Sequence, residues 1–119
     1  MGQQPITLRR LFELADTVDE SRWQAFHPGI EIIRLYGDGQ SGPAAALLRY
    51  QPGAQLARHV HSGYEHIFVL RGGQQDENGS YGPGDCLINP PDTSHAVSSP
   101  QGCVVLAIWG SPVQFPDAT

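Results

Sequence analysis

Turn signals cut this chain into short pieces, and that limits its fold more than any other feature. Gly37-Asp38-Gly39, Pro52-Gly53, Ser62-Gly63, Gly72-Gly73, Asn78-Gly79 and Gly82-Pro83-Gly84 interrupt it every few residues. Pro presets φ and Gly accepts positive φ, so such pairs are turns with a physical cause. Gly and Pro together are 14 + 10 = 24 of 119 residues. That is roughly 20%, against about 12% in average usage. Both are the poorest helix formers, so a helical bundle is disfavoured. The excess stays below the roughly 25–30% that signals disorder. What fits is a set of short strands joined by turns, packed as a sandwich or barrel.

Between the turns the strand candidates are residues 30–36, 44–51, 55–61, 65–70, 85–89, 95–99 and 103–109. A small hairpin of 74–76 and 80–81 turns at Glu77-Asn78-Gly79, where Asn-Gly favours a tight hairpin. One helix is expected, over residues 6–15, with Thr7 as its cap and Leu8, Leu11, Phe12 and Ala15 on one face. Residues 16–24 are polar and ambiguous. The chain has no internal repeat or linker, and its length suits one domain. The expected division is an N-terminal helix and arm at 1–28 and a β-barrel at 29–119.

Charge removes several function classes. The formal net charge is -5, and all seven basic residues are scattered arginines. No basic stripe offers a footprint for nucleic acid or an anionic membrane. The absence of lysine excludes Schiff-base chemistry. No run approaches the roughly 18 apolar residues of a membrane span, and no signal pattern opens the chain. Cys86 and Cys103 lack a Cys-x-x-Cys spacing and read as free thiols of a reducing compartment. The expectation is a cytoplasmic protein with no nucleic-acid or membrane partner.

Chemistry concentrates around one stretch. His59 and His61 are two apart on a strand, so both rings share a face, with Gln55 and Ala57 also on it. Glu65 opens the next strand and comes near the pair if the two strands are antiparallel neighbours. His95 opens a later strand that a barrel can return to the same interior. Three imidazoles and a carboxylate suit Fe, Mn, Ni, Co or Zn and leave a position open for water or substrate. A His-x-His pair alone is weak, and any one of these residues alone is more often surface or hydrogen-bonded. Their joint spacing raises them above that. His66 should face away, as a structural or dimer contact, and His27 reads as a loop residue.

That spacing carries a resemblance. Residues 53–72, Gly-Ala-Gln-Leu-Ala-Arg-His-Val-His-Ser-Gly-Tyr-Glu-His-Ile-Phe-Val-Leu-Arg-Gly, resemble the first cupin motif, G-x5-H-x-H-x3-4-E-x6-G, at every fixed position. Gly84, Pro90 and His95 match the second, G-x5-P-x-G-x2-H-x3-N, with Asp92 in place of Gly and Ser99 in place of Asn. The runs Asp76-Glu77-Asn78-Gly79-Ser80-Tyr81, Asn89 to His95, and Gly102-Cys103 are similar to the cupin domain of the zinc-dependent anti-sigma factors of the singlet-oxygen response. Small cupins related to acetylacetone-cleaving dioxygenases share parts of the pattern.

The resemblance implies an all-β fold, the cupin double-stranded β-helix or jelly roll, RmlC-like, with a short N-terminal helix. It implies one divalent transition metal per chain (Zn, Fe, Mn or Ni) on His59, His61, Glu65 and His95. It does not extend to inhibition of a sigma factor, because residues 1–52 hold no Cys or His cluster. Three functions follow as expectations. The first is a metal-dependent enzyme, of dioxygenase type or related, on a small organic molecule. The second is a non-catalytic metal-dependent sensor, with Cys103 and Cys86 as redox candidates. The third is a barrel in which the ion is purely structural. A pocket, if present, should draw on Ile67, Val69, Leu87 and Val97 with Tyr50, Phe68 or Trp109. Apolar outer faces on 66–70 and 103–109 suggest a homodimer.

Overall fold

The computed structural model describes residues 3–116. Ten strands form two antiparallel sheets: β1 (Gln24–His27), β2 (Ile30–Tyr36), β3 (Ala44–Tyr50), β4 (Ala54–Val60), β5 (Glu65–Gly72), β6 (Gln74–Asp76), β7 (Gly79–Tyr81), β8 (Cys86–Asn89), β9 (Ser94–Ser99) and β10 (Cys103–Trp109). The larger sheet runs β1-β2-β3-β10-β5-β8, and the smaller runs β4-β9-β6-β7. Their facing surfaces enclose a core of Ile30, Ile32, Leu48, Tyr50, Ile67, Val69, Val97, Cys103 and Val105. This is the expected double-stranded β-helix. The strands end where Gly and Pro stand. Gly72 lies at φ +73, and a Cβ there would sit 2.0 Å from the Gly102 carbonyl oxygen. No other residue fits that crossing.

Two expectations at the start of the chain need correction. The helix is shorter and later than residues 6–15: a 3-10 turn at Leu11–Glu13 runs into α1 (Leu14–Thr17). Thr7 does not cap it; the preceding position is Arg10, in the left-handed region without a side-chain cap. A helix this short is unstable alone, so docking decides its shape. Leu8, Leu11, Leu14, Ala15 and Val18 pack on the outer face of the large sheet, while Phe12 stays exposed. The polar stretch 16–24 then leads into β1, which adds an edge strand within the segment read as an arm.

That docking covers a second apolar cluster of Trp23, Ile33, Leu47, Leu70, Val104 and Leu106. It is the outer surface that suggested a partner chain, and the protein's own N-terminal segment lies over it. Arg49 fastens the segment. Its guanidinium lies 4.5 Å from the Trp23 ring and donates to both oxygens of Glu20 at 2.9 and 2.6 Å. Its Nε also donates to Glu31 at 2.8 Å.

Candidate metal centre

His59 and His95 are directly opposed across the β4–β9 ladder. Their approach depends on a bulge. Leu56 pairs with Val97 and His59 with His95, so three steps on β4 match two on β9. The extra residue moves His59 onto the inner face with Leu56. Gln55 and Ala57, expected to share the histidine face, are exposed. Alternation fails there because a bulge leaves one residue unpaired and bends the strand. Glu65 is also placed differently from expectation. β4 and β5 belong to different sheets, so its carboxylate meets the histidines across the barrel. Asp92, where the motif usually has Gly, takes φ +71, a left-handed conformation that Asp tolerates better than most residues. Its N–H donates to the His61 carbonyl, and the His61 N–H donates to the Thr93 carbonyl, so this turn aims His61.

Hydrogen bonds fix the protons of all three rings. His59 Nδ1 lies 2.9 Å from the Ala57 carbonyl, which can only accept. His95 Nδ1 lies 2.9 Å from the Asp76 carboxylate, which in turn accepts from Tyr81 Oη at 3.0 Å. His61 Nδ1 lies 3.0 Å from Thr93 Oγ1, whose own proton goes to the Pro90 carbonyl at 2.6 Å. Each Nδ1 therefore donates, and each Nε2 presents a bare lone pair. Glu65 is held as tightly: Oε1 accepts from Asn89 Nδ2 at 3.0 Å and Oε2 from Trp109 Nε1 at 2.7 Å.

The four donors converge. His95 Nε2 is 3.0 Å from His59 Nε2 and 3.6 Å from Glu65 Oε1, and His61 Nε2 is 2.9 Å from Glu65 Oε1. All four donor atoms lie within 4.8 Å of one another. Two bare lone pairs at such a distance repel unless a cation separates them. His61 Nε2 is buried and makes no aligned hydrogen bond, despite its nearness to Glu65. Ligands about 2.1 Å from one ion stand about 3.0–3.4 Å apart, so the separations fit a shared metal. The group could hold a metal ion.

Burial sets the electrostatics. All four residues are at most 4% exposed. Burial disfavours the charged form of His59 and holds its pKa below the ordinary value. Burial alone would raise the Glu65 pKa, but it is held below the ordinary carboxylate value by positive charge at the facing His61, His59 and His95 rings, which is present when those rings are protonated.

A cavity of about 30 Å³ adjoins the donors, bounded by His59, Glu65, His95 and Gln74 and by apolar walls. Ile67, Val97, Tyr50 and Trp109 line it as expected. Val69 and Leu87 belong to the core packing instead, and Phe68 faces the outer cluster. Two further residues had gone unrecognised. His27 closes β1 rather than standing in a loop, and its ring centroid is 5.5 Å from that of Phe115. Phe115 lies 5.4 Å from the His59 ring, on a segment pinned where Val60 exchanges backbone hydrogen bonds with Gln114. Beyond this partition is an outer chamber of about 220 Å³ that shares Phe26, His27, Trp109, Val113 and Phe115 with the cavity. Spacing alone does not announce the supporting roles of Asp76 and Thr93 on the rings, or of Asn89 and Trp109 on the Glu65 carboxylate. Thr93 and Asn89 fall within the Asn89 to His95 run, whereas Asp76 and Trp109 lie far in sequence from the side chains they hold. The two cysteines are unpaired, Cys86 exposed and Cys103 buried.

Two packed antiparallel sheets around a buried three-histidine, one-glutamate cluster define a cupin. The chain belongs to the ChrR cupin-like domain family, whose profile matches residues 13–112. It is 32% identical over 109 residues to the anti-sigma-E factor ChrR of Cereibacter sphaeroides, spanning 86% of this chain and 50% of ChrR. The solved Rhodobacter sphaeroides complex of SigE with the anti-sigma ChrR matches at TM-score 0.67 and 29% identity, over 82% of this chain and 55% of that one. The chain thus spans about half the length of the curated relative it matches. An acetylacetone dioxygenase from Acinetobacter johnsonii matches at TM-score 0.76 and 14% identity, over 99% of this chain and 84% of that one. At that identity the likeness is one of fold.

Proposed function

We propose that the protein is a divalent-metal cupin that binds and transforms a small organic molecule at a position its four ligands leave open. One observation carries this reading: four buried donors converge while a cavity remains beside them. A purely structural ion would need neither the cavity nor the chamber beyond it. Zn, Fe, Mn and Ni all suit the donor set. When bound, such an ion supplies a Lewis acid and, if redox-active, a path for electrons to dioxygen. The protein's part is positioning. Ala57, Thr93 and Asp76 hold the rings, while Asn89 and Trp109 hold both oxygens of Glu65. Leu48, Tyr50, Ile67, Val97 and Phe115 exclude water. Dioxygenase-type chemistry is the favoured reaction, supported by the fold likeness to acetylacetone dioxygenase.

The test is elemental analysis of protein purified without chelators or affinity-column metal, followed by oxygen uptake with 1,3-diketones, enediols and keto acids. Stoichiometric iron with substrate-dependent uptake is the expected result. Stoichiometric zinc with no turnover would instead favour a regulatory metal-dependent cupin. The identity to ChrR supports that second reading, although the chain spans only half of ChrR. The proposal extends to a cytoplasmic homodimer. With the outer cluster covered, the exposed apolar side chains available to a second copy include Tyr64 and, on the edge strand β8, Ile88. A monomer in sedimentation at micromolar concentration would remove that part.

A further inference from the structure

On β6, Gln74 and Asp76 point to the same inner face, because strand side chains alternate. Asp76 uses that position to hold His95. Gln74 has no such use. It is 3% exposed, it lines the cavity beside His59, Glu65 and His95, and its Oε1 has no hydrogen-bond partner among the described residues. Buried acceptors are rarely left unmade, because the desolvation cost then goes uncompensated. The apolar walls, among them Leu48, Ile67, Val97 and Phe115, offer no donor, and the further walls Tyr50 and His27, which carry one, make no hydrogen bond to Gln74 Oε1. The missing partner must therefore come from whatever fills the cavity.

Size limits that occupant. A water-sized molecule needs about 10–15 Å³, so a cavity of about 30 Å³ holds two to three heavy atoms. We propose that Gln74 is a ligand-binding residue whose Oε1 accepts a hydrogen bond from a small protic molecule, or from the hydroxyl or amine end of a larger one, seated beside the four donors. The residue makes the site selective for ligands that carry an O–H or N–H next to their metal-binding atom. A larger substrate would place only that end in the cavity, with its remainder in the outer chamber past Phe115. The proposal rests on the metal reading and adds the chemical class of the ligand.

The test uses the full chain loaded with Co(II), whose visible spectrum reports its ligands. Cobalt content is measured first. Hydroxylamine and azide are then titrated as probes, both small enough for the cavity, with only hydroxylamine bringing donors. Gln74→Leu should keep full cobalt content, weaken hydroxylamine about tenfold and leave azide within twofold. Gln74→Glu, which retains an acceptor oxygen at similar reach, should restore hydroxylamine binding. Equal effects on both probes, no effect on either, or a loss confined to azide would overturn the assignment while leaving the metal reading intact. If the unmodified protein takes up no cobalt, the metal reading fails and this proposal falls with it.

Discussion

Along β5, Glu65, Ile67 and Val69 point into the barrel, while Phe68 and Leu70 point out beneath the N-terminal segment. The same division runs through β3, where Leu48 borders the inner cavity and Leu47, one residue away, belongs to the outer cluster. The two sides of this sheet are organised differently. Inside, polar groups are buried and nearly all are paired, so geometry is fixed by directional bonds. Outside, packing is almost wholly apolar, and the charged groups that fasten it sit at the rim. A buried polar network is precise, and removing one member leaves its partners unsatisfied. An apolar cluster tolerates more change and contributes stability roughly in proportion to the area it buries. The chain thus separates the part that sets chemistry from a part that sets stability, using alternate residues of the same strands.

The sharpest way to break this comparison is to remove the donors. The double variant His59→Ala, His61→Ala should lose essentially all bound metal, measured by elemental analysis after loading and dialysis. The fold should survive by circular dichroism, because the outer cluster and most of the inner core are untouched. Full metal occupancy in this variant would sink the ligand assignment.

The clustering of His59, His61, Glu65 and His95 was legible in the sequence because their joint spacing matches a motif, and because Gly53, Gly72 and Gly84 marked the turns that bring strands together. What remained hidden had specific causes. The β4 bulge adds a residue that no local pattern announces, so Gln55 and Ala57 were assigned to the wrong face. Glu65 was expected from a neighbouring strand, but the chain crosses between sheets in the turn after His61, and turn residues do not reveal which sheet comes next. Asp76, Thr93, Asn89 and Trp109 lie far from their partners in sequence or were hidden in turn-like runs. Their roles exist only once the barrel closes. The N-terminal helix was misplaced because its apolar residues follow the sheet they dock on, and helical periodicity is only part of that pattern.

Leu47 and Leu48 allow a closer comparison. Both are almost fully buried, and truncating either to Ala should cost about 3 kcal/mol of stability, read from urea unfolding. The two should then diverge. Leu47→Ala should leave metal content and probe binding unchanged, whereas Leu48→Ala should enlarge the cavity and alter probe affinity. Identical behaviour at the site would mean that the two faces are coupled. A smaller effect is expected from Arg49→Ala, which removes the stack on Trp23 and the pairing with Glu20 and Glu31. Of its partners Glu20 is solvent-facing and Glu31 half-buried, so a loss of about 1 kcal/mol is expected. Hydrogen exchange should rise in the N-terminal segment and not in β9. A rise in both would show that the outer cover supports the metal side.

The two cysteines give the smallest perturbation and the cleanest contrast. Cys103 packs in the inner core, where burial pushes its thiol up to about 11. Raising the pKa of a thiol disfavours the thiolate, so at pH 8 only roughly one part in a thousand is reactive. Cys86 stands exposed on β8, where burial raises its thiol less. Iodoacetamide at pH 8 should therefore modify Cys86 in the folded protein and reach Cys103 only after unfolding, as read by peptide mass spectrometry. Labelled protein should retain its metal content and stability, because the Cys86 side chain supports neither cluster. Rapid labelling of Cys103 in the native state would mean that the barrel opens on the timescale of the reaction. A redox role for Cys103 would then regain support; protection of that thiol leaves the chemistry to the histidine cluster.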